Sequence, residues 1–422
     1  MDQKYITMKI IFLGTASCYP TPTRGVSCTA LQLDDGQVWL FDCGEGSQIQ
    51  LQKCKHLRGG KITKIFITHL HGDHVFGLPG LLCTIGMGGN PDEKQRIVDI
   101  YGPHGLRKYL LTCLEMSSSA PAFQFNIHEL MPQLNEFPVD ASSSNPTFEY
   151  LGDAAEYIGE SSHRRIYPQT LEHGTNQDAH STETLKSMTA AESSDLCLST
   201  ETSYSQSKYY WDILTWNEGT HSVKAAALQH RIPCFGYVVH EKDKPGALNV
   251  EKLKELGVKP GPIYSQIKLG IPTQLENGDT IEPKAFLGPP KRGRKVTILG
   301  DTKDSSEMIP ICRDSDLIIH EATNDNSLKI QAVERGHSTP DMAAQFAIDA
   351  NTGLLCLTHV SPRYRPSAND AIEEDVSKDK LSEHSLFADR LKDEAIDYLS
   401  KAKAHIEVLV AEDFMVVPVQ AS

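Results

Sequence analysis

ITHLHGDHVFGLPG, residues 67–80, places three histidines and an aspartate within six positions, directly behind KIFIT, a run typical of a buried strand. Imidazole and carboxylate groups are ligands that suit zinc, and the rigid end of a strand holds them in place. Side chains two apart on an extended segment point the same way, so His69 and His71 can converge on one ion. Asp73 and His74 then turn toward a second ion. Chance clustering of four surface polar residues is the alternative.

Three further candidate ligands follow apolar runs in the second half of the chain. His230 ends VKAAALQH, Asp301 follows VTILG, and His359 follows LLCLT. In each case a buried strand would deliver one ligand into a loop, as KIFIT delivers His69. Asp301 is the natural bridging ligand, because one carboxylate can span two cations about 3.5–4 Å apart. We therefore expect a site for two zinc ions.

The rest of the pattern predicts an α/β protein with a single domain over residues 1–422. Short β-rich runs such as MKIIFLG, TALQL and VWLFD alternate with helical patterns such as GEGSQIQLQKC. The second half repeats this alternation and ends with the two runs IEVLV and EDFMVVPV. Strands alternating with helices are typical of layered α/β architectures.

The net charge of −14 argues against a general affinity for nucleic acid. Residues 135–208 carry twelve acidic and four basic side chains, so their net charge is −8 and that of the remaining residues is −6. Few large apolar residues accompany them, so we interpret this range as an acidic, Ser-rich and partly disordered surface insertion, with a small separate domain as the alternative. Any nucleic-acid surface must then be a local patch.

The sequence indicates a protein of a reducing compartment, in the cytoplasm, the nucleus or both. Its ten cysteines form no CxxC pair, which argues against a disulfide framework. The apolar start MKIIFLG runs directly into a polar turn, unlike a cleavable leader. No apolar run approaches the roughly 20 residues that cross a bilayer, so we expect no membrane association.

The motifs, taken in order, resemble the tRNase Z family in its short form. Those that carry the resemblance are FLGTAS, FDCGEGSQ, THLHGDHVFGLPGLL, HRIPCFGY, LGDT, LIIHEAT, GHST and LTHVSPRY. The resemblance implies a metallo-β-lactamase αββα sandwich with a protruding flexible arm. It also implies zinc ligands at the same seven positions: His69, His71, Asp73, His74, His230, Asp301 and His359. Asp42, Gly44 and Glu45 would shape the floor of the site.

The implied activity is removal of 3′ trailers from precursor tRNA by hydrolysis next to the discriminator base. Asp73 would accept the proton of the attacking water. His337, oriented by Glu321, would protonate the leaving ribose oxygen. The alternative for Glu321 and His337 is a buried structural hydrogen bond.

Substrate contacts are implied at two places. Arg24, in the turn YPTPTRG, would contact a phosphate or nucleotide near the site. Residues 245–272 would form the arm that clamps tRNA, with Gly261 and Pro262 at its turn. The resemblance also implies a homodimer, in which each arm reaches tRNA bound at the partner's site.

Two other functions remain open from the sequence. A metallo-β-lactamase-fold hydrolase of small phosphodiesters or thioesters would keep the seven ligands but would not need the arm. A non-catalytic RNA-binding partner would use the fold only for binding. The intact ligand set argues against that second alternative.

Overall fold

The computed structural model describes residues 7–86, 96–132, 160–170, 209–217, 219–275, 278, 280–366 and 387–421. Within these ranges the chain forms two eight-stranded sheets and a small two-stranded one. Strands are numbered in chain order. The first sheet contains β1 (Lys9–Gly14), β2 (Cys28–Gln32), β3 (Val38–Phe41), β4 (Ile62–Phe66), β5 (Ile97–Pro103), β6 (Gln124–Leu130), β7 (Glu160–Ile166) and β18 (Val416–Pro418).

The second sheet contains β8 (Gln169–Thr170), β9 (Tyr209–Leu214), β10 (His221–Leu228), β11 (Cys234–Glu241), β14 (Lys295–Ile298), β15 (Leu317–Glu321), β16 (Leu354–Thr358) and β17 (Glu407–Val410). The small sheet pairs β12 (Thr273–Gln274) with β13 (Thr280–Ile281). The last two strands lie in different sheets, since β17 pairs with β16 and β18 with β1.

Most of the helices pack on the outer faces of the two large sheets, whereas two of them pack with the small sheet. The helices are α1 (Ser47–Lys53), α2 (Gly72–Val75), α3 (Leu78–Ile85), α4 (Leu106–Met116), α5 (Val250–Glu255), α6 (Pro262–Lys268), α7 (Ile309–Cys312), α8 (Lys329–Glu334), α9 (Pro340–Asp349) and α10 (Asp389–Lys401). In the described part of the chain, none of them combines the length and apolarity that a membrane span requires.

Three apolar clusters show that the layers are stacked as α/β/β/α. In β1 the side chains of Ile10 and Phe12 enter the cluster between the two sheets, while Ile11 and Leu13 enter the cluster under α3 and α4. This alternation follows from the two-residue repeat of a strand that is buried on both faces. A third cluster joins the second sheet to α9 and α10. The predicted α/β sandwich is confirmed.

The strand directions bring the candidate ligands to one edge. Strands β3 and β4 run parallel in the first sheet, and β14, β15 and β16 run parallel in the second. Strand β10 points the same way as β14, because each is antiparallel to β11. The loops that follow these strands therefore lie together at the edge where the carboxyl ends of the strands meet.

The arm extends further along the chain than residues 245–272. Two isolated bridges, Lys244 with Lys291 and Leu248 with Leu287, join its two ends. Its own apolar cluster consists of Leu253, Val258, Ile267, Ile281 and Phe286, so the segment through β13 packs with α5 and α6. Residues beyond 272 thus pack with the predicted arm, and the small strands there carry little periodic signal in the sequence.

The predicted insertion at 135–208 also needs correction in its middle. Strand β7 pairs in parallel with β6, and β8 pairs with β9 of the second sheet. Residues 160–170 therefore extend the two sheets instead of belonging to a surface insertion. The remainder of the range, 135–159 and 171–208, lies outside the described residues, as does the expectation of partial disorder.

Candidate metal centre

The loop after β4 and the short helix α2 together carry four of the candidate ligands, with His69 and His71 in the loop and Asp73 and His74 in the helix. His69 and His74 are buried, and His71 and Asp73 lie at the mouth of the site. The second sheet holds the start of this loop, because the amide of Phe235 donates to the carbonyl of Thr68 at 3.0 Å. The ligands are therefore attached to both sheets.

A first group of donors consists of His69, His71, His230 and Asp301. Nδ1 of His71 lies 3.0 Å from Nε2 of His69 and 3.1 Å from Nε2 of His230. Oδ2 of Asp301 lies 3.7 Å from Nε2 of His69 and 3.9 Å from Nε2 of His230. A tetrahedral zinc with ligands at about 2.0–2.1 Å has ligand-to-ligand edges of about 3.3 Å, so this group fits one zinc ion.

A second group lies on the other side of Asp301. Nε2 of His74 is 3.3 Å from Nε2 of His359, and Oδ2 of Asp73 is 3.4 Å from the same His359 atom. Oδ1 of Asp301 is 3.3 Å from both His74 Nε2 and His359 Nε2. Each carboxylate oxygen of Asp301 therefore faces a different group, as a bridging ligand requires. The structure brings together all seven predicted ligands.

Hydrogen bonds to Nδ1 orient three of the ligand imidazoles so that Nε2 faces the donor groups. Nδ1 of His74 donates to Asp42 at 2.7 Å, and Nδ1 of His230 donates to the carbonyl of Gly336 at 2.8 Å. Nδ1 of His359 donates to the hydroxyl of Thr323 at 2.9 Å. Such outer contacts fix the tautomer and ring orientation of metal-binding histidines.

Two of the three residues that were predicted to shape the floor of the site, Asp42 and Gly44, make contacts that fit this role. Asp42 lies in the left-handed region at φ 62° and accepts both the amide and the hydroxyl of Thr68, at 2.7 and 2.9 Å. A Cβ on Gly44 would lie 2.2 Å from the carbonyl oxygen of Asp73, so only glycine permits this close approach. Glu45 is exposed, and no hydrogen bond or ion pair is observed for its side chain within the described residues.

His337 and Glu321 form a pair beside the two groups. Nδ1 of His337 lies 3.0 Å from Oε1 of Glu321 and 3.7 Å from Oδ2 of Asp301. Burial alone would lower the pKa of His337, but the Glu321 carboxylate outweighs it and raises the pKa to about 9. The imidazole therefore holds a proton near neutral pH, at the edge of the donor groups.

The charges of the carboxylates suit metal binding. Burial opposes ionisation of Asp301, but the neighbouring His359, His74 and His69 hold the pKa of that carboxyl well below its usual range. For Asp73, burial is likewise outweighed by the hydrogen bond and charge of His359 and by His74, so its pKa is also lowered. Both groups are anionic and available as ligands.

Arg24 does not occupy the place expected of a substrate contact. Its side chain is only 3% exposed, and its guanidinium donates to the hydroxyl of Thr15 at 2.8 Å and to the carbonyl of Ala411 at 2.6 Å. It also pairs with Glu412 at 3.3 Å. Arg24 therefore anchors the segment before β18, and the expected phosphate contact is wrong. Gly261 and Pro262 are exposed at the start of α6 in the arm.

Comparison with known proteins agrees with this geometry. Residues 8–115 match the family model described as anti-Pycsar protein Apyc1. Zinc phosphodiesterase ELAC protein 1 of Homo sapiens is 41% identical over 418 residues, covering 98% of this chain and 99% of the relative. Ribonuclease Z of Prochlorococcus marinus (strain MIT 9312) is 34% identical over 373 residues, covering 88% of this chain and 94% of the relative.

Two solved structures share the fold. The crystal structure of human tRNase Z, short form (ELAC1), matches with a TM-score of 0.57 and 30% identity, covering 98% of this chain and 100% of that one. The metallo-β-lactamase fold protein YhfI from Bacillus subtilis matches with a TM-score of 0.50 and 14% identity over 97% of this chain and 99% of that one. Fold and site together define a metal-dependent phosphodiester hydrolase of the metallo-β-lactamase fold. Within that class, the chain belongs to the ribonuclease Z family that includes ELAC protein 1.

Proposed function

We propose that this chain is an endoribonuclease that removes 3′ trailers from precursor tRNA. The cut falls next to the discriminator base and leaves a 3′ hydroxyl on the tRNA and a 5′ phosphate on the trailer. The observation that carries the proposal is the meeting of seven candidate ligands, with Asp301 between the two groups and His337 at their edge. This arrangement supplies both a metal centre and an acid for phosphodiester hydrolysis.

The proposed cofactor is zinc, with two ions per chain. Three imidazoles and one carboxylate oxygen surround the first position, and two imidazoles and two carboxylate oxygens surround the second. Zinc at such positions lowers the pKa of water toward neutrality and offsets negative charge on the phosphodiester. The nitrogen-rich donor set favours zinc over magnesium or calcium, which prefer oxygen ligands.

Three side chains of the protein move or hold protons in this proposal. Asp73 accepts the proton of the attacking water. His337 protonates the leaving 3′ oxygen of the ribose, which is a poor leaving group without a proton. Glu321 orients His337 and keeps it charged until that step.

The arm supports RNA as the substrate rather than a small phosphodiester or thioester. Residues 245–290 leave the second sheet, fold around their own apolar cluster and carry Lys254, Lys259 and Lys268 on exposed positions. A lysine-bearing projection of this kind suits contacts to an RNA backbone at a distance from the metal centre. We further propose a homodimer in which the arm of one chain holds tRNA bound at the partner's site.

The decisive experiment is incubation of the purified protein with a 3′-extended tRNA, with and without a chelator. We expect one cut beside the discriminator base, a 3′ hydroxyl on the tRNA, and loss of cleavage with chelator that added zinc restores. Cleavage that continues in chelator would contradict the metal mechanism. Hydrolysis of bis(p-nitrophenyl) phosphate without any cleavage of tRNA would instead favour a small-molecule phosphodiesterase.

A further inference from the structure

We propose that Arg231 binds a phosphate group of the RNA adjacent to the scissile phosphate. The inference rests on the proposed function, because it requires a substrate with more than one phosphate. Arg231 directly follows the ligand His230 and is exposed to solvent. Its stem lies beside Gly336, since a Cβ on that glycine would be 3.4 Å from Cγ of Arg231. The residue therefore lies at the rim of the metal centre, next to the loop of His337.

The charge of Arg231 lies close to two residues at the mouth of the site. Both His71 and His337 are partly exposed; Nδ1 of His71 lies 3.1 Å from Nε2 of His230, the residue before Arg231, and His337 follows Gly336. A guanidinium at this position adds a positive charge at the rim that an anionic substrate must pass to reach the metal centre.

Within the part of the chain that the structure describes, no carboxylate forms an ion pair with Arg231. Arg294 pairs with Asp34 and Glu241, and the buried Arg24 pairs with Glu412. Among the described residues, Arg231 has neither a hydrogen-bond nor an ion-pair partner, although the chain carries a net charge of −14. An unpaired arginine beside a phosphodiester-cleaving centre is suited to a ligand that brings its own negative charge.

A phosphate next to the scissile one fits this location better than the scissile phosphate itself. The scissile group must lie against the two donor groups, where bound cations offset its charge. Arg231 extends from the rim, so it is suited to the backbone that continues past the centre. Its planar guanidinium can hold two oxygens of one phosphate at once.

The test compares Arg231→Ala and Arg231→Lys with the wild-type protein. Arg313→Ala is the matched control, since Arg313 is exposed at the end of α7, before β15, at the edge of the sheet opposite the metal centre. Each protein is assayed on a 3′-extended tRNA and on bis(p-nitrophenyl) phosphate, which has one phosphate. The small-substrate reaction is also inhibited with a trinucleotide and, separately, with a mononucleotide.

We expect Arg231→Ala to raise the KM for tRNA about tenfold relative to its effect on the KM for bis(p-nitrophenyl) phosphate. Loss of one charged contact to the RNA has an effect of this size. Inhibition by the trinucleotide should weaken by about tenfold relative to inhibition by the mononucleotide. The slope of log affinity for the trinucleotide against log salt should fall by about 0.7. Arg231→Lys should recover part of each effect, and Arg313→Ala should behave as wild type.

Equal losses on both substrates, or unchanged inhibition by the trinucleotide, would overturn the inference. The trinucleotide comparison needs no tRNA cleavage. If the wild-type protein fails to cut tRNA, the proposed function is lost, while the difference between trinucleotide and mononucleotide still decides whether Arg231 contacts a second phosphate.

Discussion

The imidazole of His337 lies 3.0 Å from the carboxylate of Glu321, and that carboxylate is fixed from two further directions. The amide of Thr302 donates to its Oε1 at 2.7 Å, and the hydroxyl of Thr323 donates to its Oε2 at 2.6 Å. The same Thr323 hydroxyl accepts from the ligand His359 at 2.9 Å. Thr323 therefore connects His359 of the metal centre with Glu321, which contacts the proposed acid His337.

Replacing His337 tests its role as the acid. We expect His337→Ala to lower kcat on 3′-extended tRNA by about 10²–10⁴, the usual contribution of a positioned acid. Zinc content should stay at the wild-type level, because His337 is not among the seven ligands proposed for the two positions. Kinetics and elemental analysis on the same preparation check both statements. Full activity in this variant would leave the pair with only a structural role.

Asp301→Asn tests whether one carboxylate serves two ions. Each oxygen of Asp301 faces a different donor group, so the amide keeps an oxygen for one group and offers the other an NH2, which cannot ligate. We expect about two zinc ions per wild-type chain, about one in the variant, and loss of phosphodiester hydrolysis. His56→Ala is the control, since His56 is exposed and outside the site. A single ion in the wild-type protein would contradict the proposed stoichiometry.

Excision of the arm separates RNA recognition from chemistry. Lys244 and Lys291 are joined by two backbone hydrogen bonds of 2.9 Å, so an Asn-Gly turn can replace residues 245–290 and close a hairpin. We expect tRNA cleavage to fall by at least about 100-fold while hydrolysis of bis(p-nitrophenyl) phosphate persists. A milder variant, Gly261→Ala with Pro262→Ala, tests the turn alone. Unchanged cleavage of tRNA by the armless protein would contradict a role of the arm in binding RNA.

The candidate donors could be selected from sequence because His69, His230, Asp301 and His359 each lie within three residues of the end of an apolar strand, and the other three follow His69 within five positions. The ends of parallel strands meet at one edge of a sheet. Residues that act through other residues gave no such signal. Thr323 orients both His359 and Glu321, yet one threonine after a strand is ordinary. Glu321 and His337 were predicted only from the resemblance to the tRNase Z family, because the spacing of residues alone did not point to them.

The sequence did not predict the position of Arg24 or the strands β7 and β8, and both failures have the same physical cause. Arg24 lies in a Pro-rich polar turn, as an exposed contact would, but the chain end folds back and buries its guanidinium among Thr15, Ala411 and Glu412. Strands β7 and β8 were missed because edge strands rely on their neighbours for pairing and carry little apolar pattern of their own. Contacts between residues that are far apart in the chain produce no pattern in a short stretch of sequence.

The ion network around Arg294 connects the two sheets at the edge away from the metal centre. Its guanidinium contacts Asp34, which follows β2 of the first sheet, at 2.7 Å, and Glu241, the last residue of β11 in the second, also at 2.7 Å. Burial opposes ionisation of Glu241, but hydrogen bonds from Arg294 and Lys244 lower its pKa from 4.5 to about 2. The folded protein therefore favours the charged form of Glu241 more than the unfolded chain does.

Because the folded pKa of Glu241 is depressed, its contribution to stability is complete above pH 4.5 and is lost as the pH falls toward about 2. We expect Glu241→Gln to lower the free energy of unfolding by on the order of 1 kcal/mol near pH 7, since solvent screens part of the interaction. The difference from wild type should shrink steadily below pH 4.5. Urea unfolding at several pH values, with chelator present so that zinc release does not contribute, measures it. Glu115→Gln, at an exposed position on α4, is the control, and a difference independent of pH would show that lost packing, not charge, explains the effect.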